Sequence, residues 1–400
     1  MKFLFFTLYF PPDLSAGSFR AKALVEALQL KIEPSDEIHV ITTKSSRYKS
    51  YKVNSKSYEE SKNIKIHRID IPNHQGGTVS QAFFYLFYAT KALRICKNIK
   101  ADFLIGTSSR LMTGLLTSIA SILFKAPYYL DIRDIFSESF SDVFLSKNRF
   151  LRKAIQKTII HIERFVLSRA SKVSINSESF RDYFSQQNIN TENWSFHPNG
   201  VDPEFLSLET PNLKQKEGKE INVLYAGNIG FAQSLSSLIP SAAVKLEGKF
   251  FFHIIGDGTD KKMLMSRIKS EKIKNISVSE PVSRSELIKI YQKADILMIN
   301  LQKLPAFDRV LPSKIFEYSA IGKPIIAGLS GYSKTFLKEN VAHAIFFKPN
   351  DSIDFINALD RSRDTHISPE NITSFCDKFS RKKIMTQMSE EIISTAHYSK

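Results

Sequence analysis

Residues 221–230 read INVLYAGNIG, an apolar run of strand length that stops at two glycines three positions apart. A buried strand halted by glycine and followed by a helix-length amphipathic stretch is the mark of a parallel strand feeding a crossover helix. FFHIIGDG at 251–258 repeats the pattern. Working outward from these stretches, strands are expected over 250–256, 276–278, 296–299, 324–327 and 344–347 on the carboxyl side. On the amino side they are expected over 3–7, 37–42, 64–69, 103–107, 128–132 and 172–175. Helical segments separate most of them, which makes the fold class α/β, with two Rossmann-like doubly wound parallel-sheet domains. HPNGVDPEF at 197–205 concentrates Pro, Asn, Gly and Asp between the two runs and reads as the boundary. The expected domains are 1–200, 201–375 and a terminal segment 376–400, in which residues 377–396 read as one helix.

Four hundred residues with 42% hydrophobic side chains exclude a single small module and a disordered chain. The 56 basic and 40 acidic residues give a net charge of +16, which points to an anionic partner. Residues 1–200 hold half of the basic residues but only 17 of the acidic ones, so the surplus is concentrated there. Two cysteines argue against a disulfide scaffold and fit a reducing, cytoplasmic compartment. MKFLFFTLYF imitates a short signal sequence but halts at Pro11-Pro12 and reads as a buried first strand. No apolar stretch reaches the roughly 18 residues that span a bilayer, so any membrane contact is expected to be peripheral.

Ligands of open parallel sheets gather at the carboxyl ends of strands, where helix N-termini present free amides. Gly227, Asn228 and Gly230 form one such junction, and Gly256, Asp257 and Gly258 another. Each also reads as a plain connecting turn. Lys261 stands where the third glycine of a dinucleotide fingerprint would fall, which counts against a dehydrogenase. More informative is LPSKIFEYSAIGKPIIA at 311–327, where Pro312 opens and Gly322 closes a short helix. Ser313 and Lys314 then sit at its positive end, and Glu317 lies one turn inward, spaced to accept hydrogen bonds from a ribose diol. The alternative for Glu317 is an exposed helix carboxylate.

These residues, with PPDLSAGSFRAKALVEAL, LDIRDIFSES, HPNGVD and ELIKIYQKADI, make the chain resemble the retaining, nucleotide-sugar-dependent glycosyltransferases of family four, across nearly its whole length. The resemblance implies the GT-B architecture, two domains facing a cleft, with the donor held by the carboxyl-terminal domain and the final helix returning to the amino-terminal one. DIRD and PSKIFEY look most like the branch that adds acetamido sugars, N-acetylfucosamine among them, in O-antigen or capsule assembly. Carried over by position, Glu317 is the second Glu of the family's E-x7-E motif. Pro312, Ser313 and Lys314 lie at the diphosphate, Gly17 opens the first loop toward it, and Gly227 and Gly230 begin the carboxyl-terminal sheet. Two departures stand out. Arg309 occupies the place of the first Glu, and Asn228 and Gln233 occupy places where many members have an Arg and a Lys. Arg20, Arg309 and Lys314 are the candidate substitutes for that charge, Lys314 foremost.

Releasing a sugar from a nucleoside diphosphate requires the departing anion to be stabilised. No D-x-D carboxylate pair occurs at a strand end, so the expected chemistry is metal-independent and cofactor-free, with a UDP-linked sugar as substrate. The resemblance implies retention, with the donor phosphate helping to deprotonate the acceptor. Asp131, Arg133 and Asp134 close a strand of the amino-terminal sheet and are candidates for orienting sugar hydroxyls, with an internal Arg–Asp pair as the alternative. Glu138 is a weaker candidate, and His197 and His253 read as structural. Residues 147–172 contain eight basic residues and one acidic, on a helix with an apolar stripe. With the aromatic run 83–88 they suggest an anionic membrane surface, the inner face of the plasma membrane, carrying a lipid-linked saccharide acceptor. The remaining alternatives are a nucleotide-sugar epimerase of the same fold and a non-catalytic anion or nucleic-acid binding protein. The chain has no recognisable nucleic-acid motif.

Overall fold

The computed structural model describes residues 1–44, 55–71, 78–108, 111–135, 137, 149–206, 220–362, 365 and 367–399. The chain divides into two units, Met1–Pro198 with Lys382–Lys400, and Asn199–Arg381.

The first unit is built on a sheet of order β3-β4-β2-β1-β5-β6-β7-β8. Its strands are β1 (Lys2–Phe6), β2 (Glu37–Thr43), β3 (Tyr58–Ser61), β4 (Ile64–Ile69), β5 (Phe103–Ser108), β6 (Tyr128–Ile132), β7 (Lys172–Ile175) and β8 (Ser195–Phe196). All pair in parallel except the antiparallel edge strand β3. Sequence patterning misses β3 and β8, which are short and lie at the two edges, where little apolar surface is buried. Strand β1 shows why the interior reads as continuous apolar runs. Leu4 and Phe6 join the core on one sheet face and Phe3 and Phe5 the core on the other, so neither set meets water. The helices are α1 (Ala16–Gln29), α2 (Thr78–Ile99), α3 (Leu111–Phe124), α4 (Arg149–Ser168) and α5 (Ser179–Ser185).

In the second unit six strands pair in parallel in the order β11-β10-β9-β12-β13-β14. They are β9 (Ile221–Asn228), β10 (Phe250–Asp257), β11 (Ile276–Ser279), β12 (Ile296–Asn300), β13 (Ile325–Gly328) and β14 (Ala344–Phe347). Its main helices are α6 (Leu235–Lys245), α7 (Lys261–Ser270), α8 (Arg284–Lys293), α9 (Ser313–Ile321), α10 (Gly331–Asn340), α11 (Ser352–Arg361) and α12 (Pro369–Lys378). Where residues 377–396 read as one helix, the chain breaks. Phe379 leaves helical geometry, Ser380 bridges to Val201, and α13 (Arg381–Tyr398) begins anew. Ile384, Met385, Met388, Ile392 and Ala396 of α13 then pack into the first unit's core beside Phe3 and Phe5.

Both sheets have the reversal of strand order that opens a crevice at strand carboxyl ends. In the first it falls between β1 and β5, and in the second between β9 and β12.

Candidate functional site

In the second unit the reversal point brings the end of β9 beside the segment that follows β12 and leads into α9. Pro312 is the N-cap of α9, with extended backbone and no side-chain cap, so the first amides of the helix take no side-chain partner at the cap. Gly322 closes the helix in the left-handed region, as the sequence bracket predicts. The Lys314 side chain runs from this positive end to β9. Its ammonium lies 5.0 Å from the centre of the Tyr225 ring and so close to Gly227 that a Cβ there would collide with it. Glycine at 227 is therefore favoured by its φ of +146°, and the missing Cβ leaves the space that the Lys314 ammonium occupies. Burial lowers the Lys314 pKa, and Glu317 partly opposes this.

Glu317 is buried, not an exposed helix carboxylate. Arg284 donates to its Oε1 at 2.9 Å and the Tyr291 hydroxyl to its Oε2 at 3.1 Å. Burial alone would raise its pKa, but Arg284, aided by Lys314 and Arg381, holds it below the ordinary carboxylate value. Each oxygen keeps a second acceptor position, so the pair fixes the carboxylate without exhausting it. Arg284 also donates to Asp202 of the HPNGVD stretch, and Arg381 closes the chain of charges at 2.5 Å from Asp202. Sequence reading missed Arg284 and Tyr291. The signal was present, because Ser283 caps α8 by accepting from Glu286, which fixes Arg284 at the first helical position and Tyr291 two turns later on the same face.

The glycine junctions differ from the expected turns. Gly227 and Gly256 lie inside β9 and β10, directly paired across the ladder, and a Cβ on Gly256 would strike the Gly227 carbonyl. Gly258 packs in the same way on Ile229, and its amide is taken by its own neighbour Asp257 at 2.8 Å. Close backbone approach accounts for Gly256 and Gly258. The turn itself starts at Gly230, which caps a short helical turn, Phe231–Gln233. Asn228 and Gln233, the neutral residues standing where a cation pair was expected, hydrogen-bond to each other at 2.9 Å. Arg309 sits half-buried at the end of the single turn Pro305–Asp308.

In the first unit the candidate residues form two groups. Arg20 and Asp131 make a buried bidentate pair, at 2.9 and 2.8 Å, and Arg20 also donates to the Pro198 carbonyl at 2.8 Å. Burial would raise the Asp131 pKa, yet Arg20 keeps it below its ordinary value. The pair rivets α1, β6 and the end of the first unit together, and its cation is Arg20, from outside the DIRD segment within which the alternative Arg–Asp pair was drawn. The second group is Gly17 and Arg133. Gly17 lies in the first turn of α1, and a Cβ there would come within 3.1 Å of the Arg133 guanidinium. Asp134 is half-buried beside it, and Glu138 lies outside the described residues. His197 and His253 are held by serine and asparagine partners, Ser174 for the one and Ser277 and Asn222 for the other.

Residues 209–374 match the family described as glycosyl transferases group 1, and residues 19–200 match the glycosyl transferase 4-like domain. Each unit therefore matches a glycosyltransferase family over most of its length. WcaI of Escherichia coli (strain K12), named for colanic acid biosynthesis as a glycosyl transferase, is 27% identical over 181 residues, 43% of this chain and 44% of WcaI. The chain thus matches less than half the length of that relative. Among solved structures, sucrose-phosphate synthase from Thermosynechococcus elongatus superposes with a TM-score of 0.75 at 13% identity, covering 98% of each chain. HepE of Anabaena, in complex with UDP-glucose, gives 0.68 at 15% identity, over 99% of this chain and 100% of that one. WaaG, a glycosyltransferase involved in lipopolysaccharide biosynthesis, gives 0.67 at 14% identity, over 98% and 99%. These likenesses establish the GT-B fold.

Proposed function

We propose that the chain is a retaining glycosyltransferase. It moves a sugar, read as an acetamido sugar, from a UDP-linked donor to a lipid-linked saccharide during bacterial surface polysaccharide synthesis. The observation that carries this reading is the Lys314 ammonium set against Gly227 at the reversal point of the second sheet, above the uncapped start of α9. As the bond between the anomeric carbon and the diphosphate breaks, negative charge grows on the phosphate. A fixed cation and a helix N-terminus meet that charge without reorganising. Lys314 thereby supplies from α9 the charge that Asn228 and Gln233 do not. Glu317, held by Arg284 and Tyr291, accepts from the ribose hydroxyls. Arg133 beside Gly17 gives the first unit a positive group at the start of α1. Arg20 and Asp131 act as positioning residues, since each satisfies the other.

Incubating the purified chain with labelled UDP-sugars, with and without a lipid-linked saccharide, tests the reading. Transfer of label to the acceptor with the anomeric configuration kept is expected, and Glu317→Ala should raise the donor KM. Release of an epimerised sugar without acceptor would favour the epimerase, and no turnover with any UDP-sugar would refute the donor class.

A further inference from the structure

The stretch 199–205, which the sequence offers only as a boundary, touches both groups that hold Glu317. Asp202 is buried in it, with Oδ2 taken by the Arg284 guanidinium and Oδ1 lying 2.5 Å from Arg381 Nε. Phe205, on the single helical turn Pro203–Leu206, lies near-parallel to the Tyr291 ring, with centroids 6.3 Å apart and planes at 26°. The Arg284 guanidinium sits 5.0 Å from the centre of the same Phe205 ring. Glu317, Arg284, Asp202 and Arg381 thus form a largely buried run of alternating charges that ends where the chain enters and leaves the second unit. The two crossings run side by side there, since Val201 donates to the Phe379 carbonyl at 2.7 Å and accepts from the Arg381 amide at 2.8 Å. Arg381 also donates from its side chain to the Gly200 carbonyl at 3.2 Å.

Stability alone does not account for this run, because burying two carboxylates and two guanidiniums costs desolvation that apolar side chains of similar volume avoid. Orientation does account for it. A guanidinium held at one nitrogen swings on its long side chain, whereas a second anion on another nitrogen fixes the plane of the fork. Asp202 is that second anion, on Nη2, while Nη1 donates to Glu317 Oε1. Phe205 braces the Tyr291 ring in the same way, and with it the hydroxyl that donates to Glu317 Oε2. A carboxylate that reads ribose hydroxyls does so only while its remaining acceptor positions point one way, which is what rigid partners secure.

We infer that Asp202 and Phe205 are positioning residues for the ribose site: they fix Arg284 and Tyr291, and through them the direction of the Glu317 carboxylate. This rests on the reading of Glu317 as the ribose ligand. The test is calorimetric titration of the full chain with UDP and with dideoxy-UDP, which keeps the base and diphosphate but lacks both ribose hydroxyls. Wild type should prefer UDP by at least about tenfold, the worth of a hydrogen bond to a charged group. Asp202→Asn should cut that preference to about threefold or less while its affinity for dideoxy-UDP stays within about twofold of wild type. Phe205→Leu, which keeps the bulk and leaves no buried charge unpaired, should cut the preference in the same direction, so the test holds even where Asp202→Asn fails to fold. A preference unchanged in both variants, or a parallel loss of affinity for both ligands, would overturn the inference and leave Glu317 at the ribose. A wild type without preference would remove Glu317 from the ribose and the inference with it.

Discussion

Lys314 is a single residue whose position decides the chemistry assigned to the second unit. A lysine works in this role only while protonated, and burial brings its pKa down from 10.5. Free-enzyme kcat/KM should therefore fall on the alkaline side at a lower pH than an unperturbed lysine would give. Lys314→Arg, which stays charged, should flatten that limb. Lys314→Gln should cost about 10² to 10³ in kcat, in line with the removal of one donor to a developing anion. A pH–rate profile of the three proteins checks both expectations, and an alkaline limb that persists unchanged in Lys314→Arg would assign it to another group. Lys314 was legible in the sequence because a proline and a glycine bracket its helix. For Arg284 only its place at the head of a capped helix was legible, because its carboxylate partners Asp202 and Glu317 lie 82 and 33 residues away and meet it only after folding.

At the scale of elements, the paired ends of β9 and β10 hold the site's floor. Gly256 has a φ of +153° and faces the Gly227 carbonyl across the ladder, so Gly256→Ala adds backbone strain and a collision with a group that cannot rotate away. The expected loss is about 2–4 kcal/mol of the second unit's stability, read as a lowered urea midpoint. A midpoint unchanged from wild type would show that the ladder end can yield. Strand positions and helix placement were readable from 221–230 and its repeats because interior parallel strands are apolar on both faces. The ends of β9 and β10 were not, since glycine marks a turn and a close backbone approach equally well. Edge strands β3 and β8, and the break before α13, left no apolar pattern to read. That break follows from the Val201–Ser380 bridge, a contact across 179 positions of sequence.

For the molecule as a whole, each unit buries a histidine that resists protonation. Burial brings His197 in the first and His343 in the second down to about 4. Folded, each stays neutral until about pH 4, whereas unfolded it takes a proton below about 6.5, so the unfolded state binds more protons in that window. Stability should fall as pH drops from 6.5 toward 4, by up to about 1.4 kcal/mol per pH unit for each histidine. Urea titrations across that range should show a shallower slope in His343→Gln, and a slope that matches wild type would rule the residue out. The central claim, a nucleoside diphosphate bound by the second unit through Lys314 and the start of α9, is tested most directly by calorimetric titration of wild type and Lys314→Gln with UDP and with uridine. UDP should bind the wild type more tightly than uridine and lose at least about tenfold in the variant while uridine is unaffected. Equal affinity of wild type for UDP and uridine, or of both proteins for UDP, would contradict it.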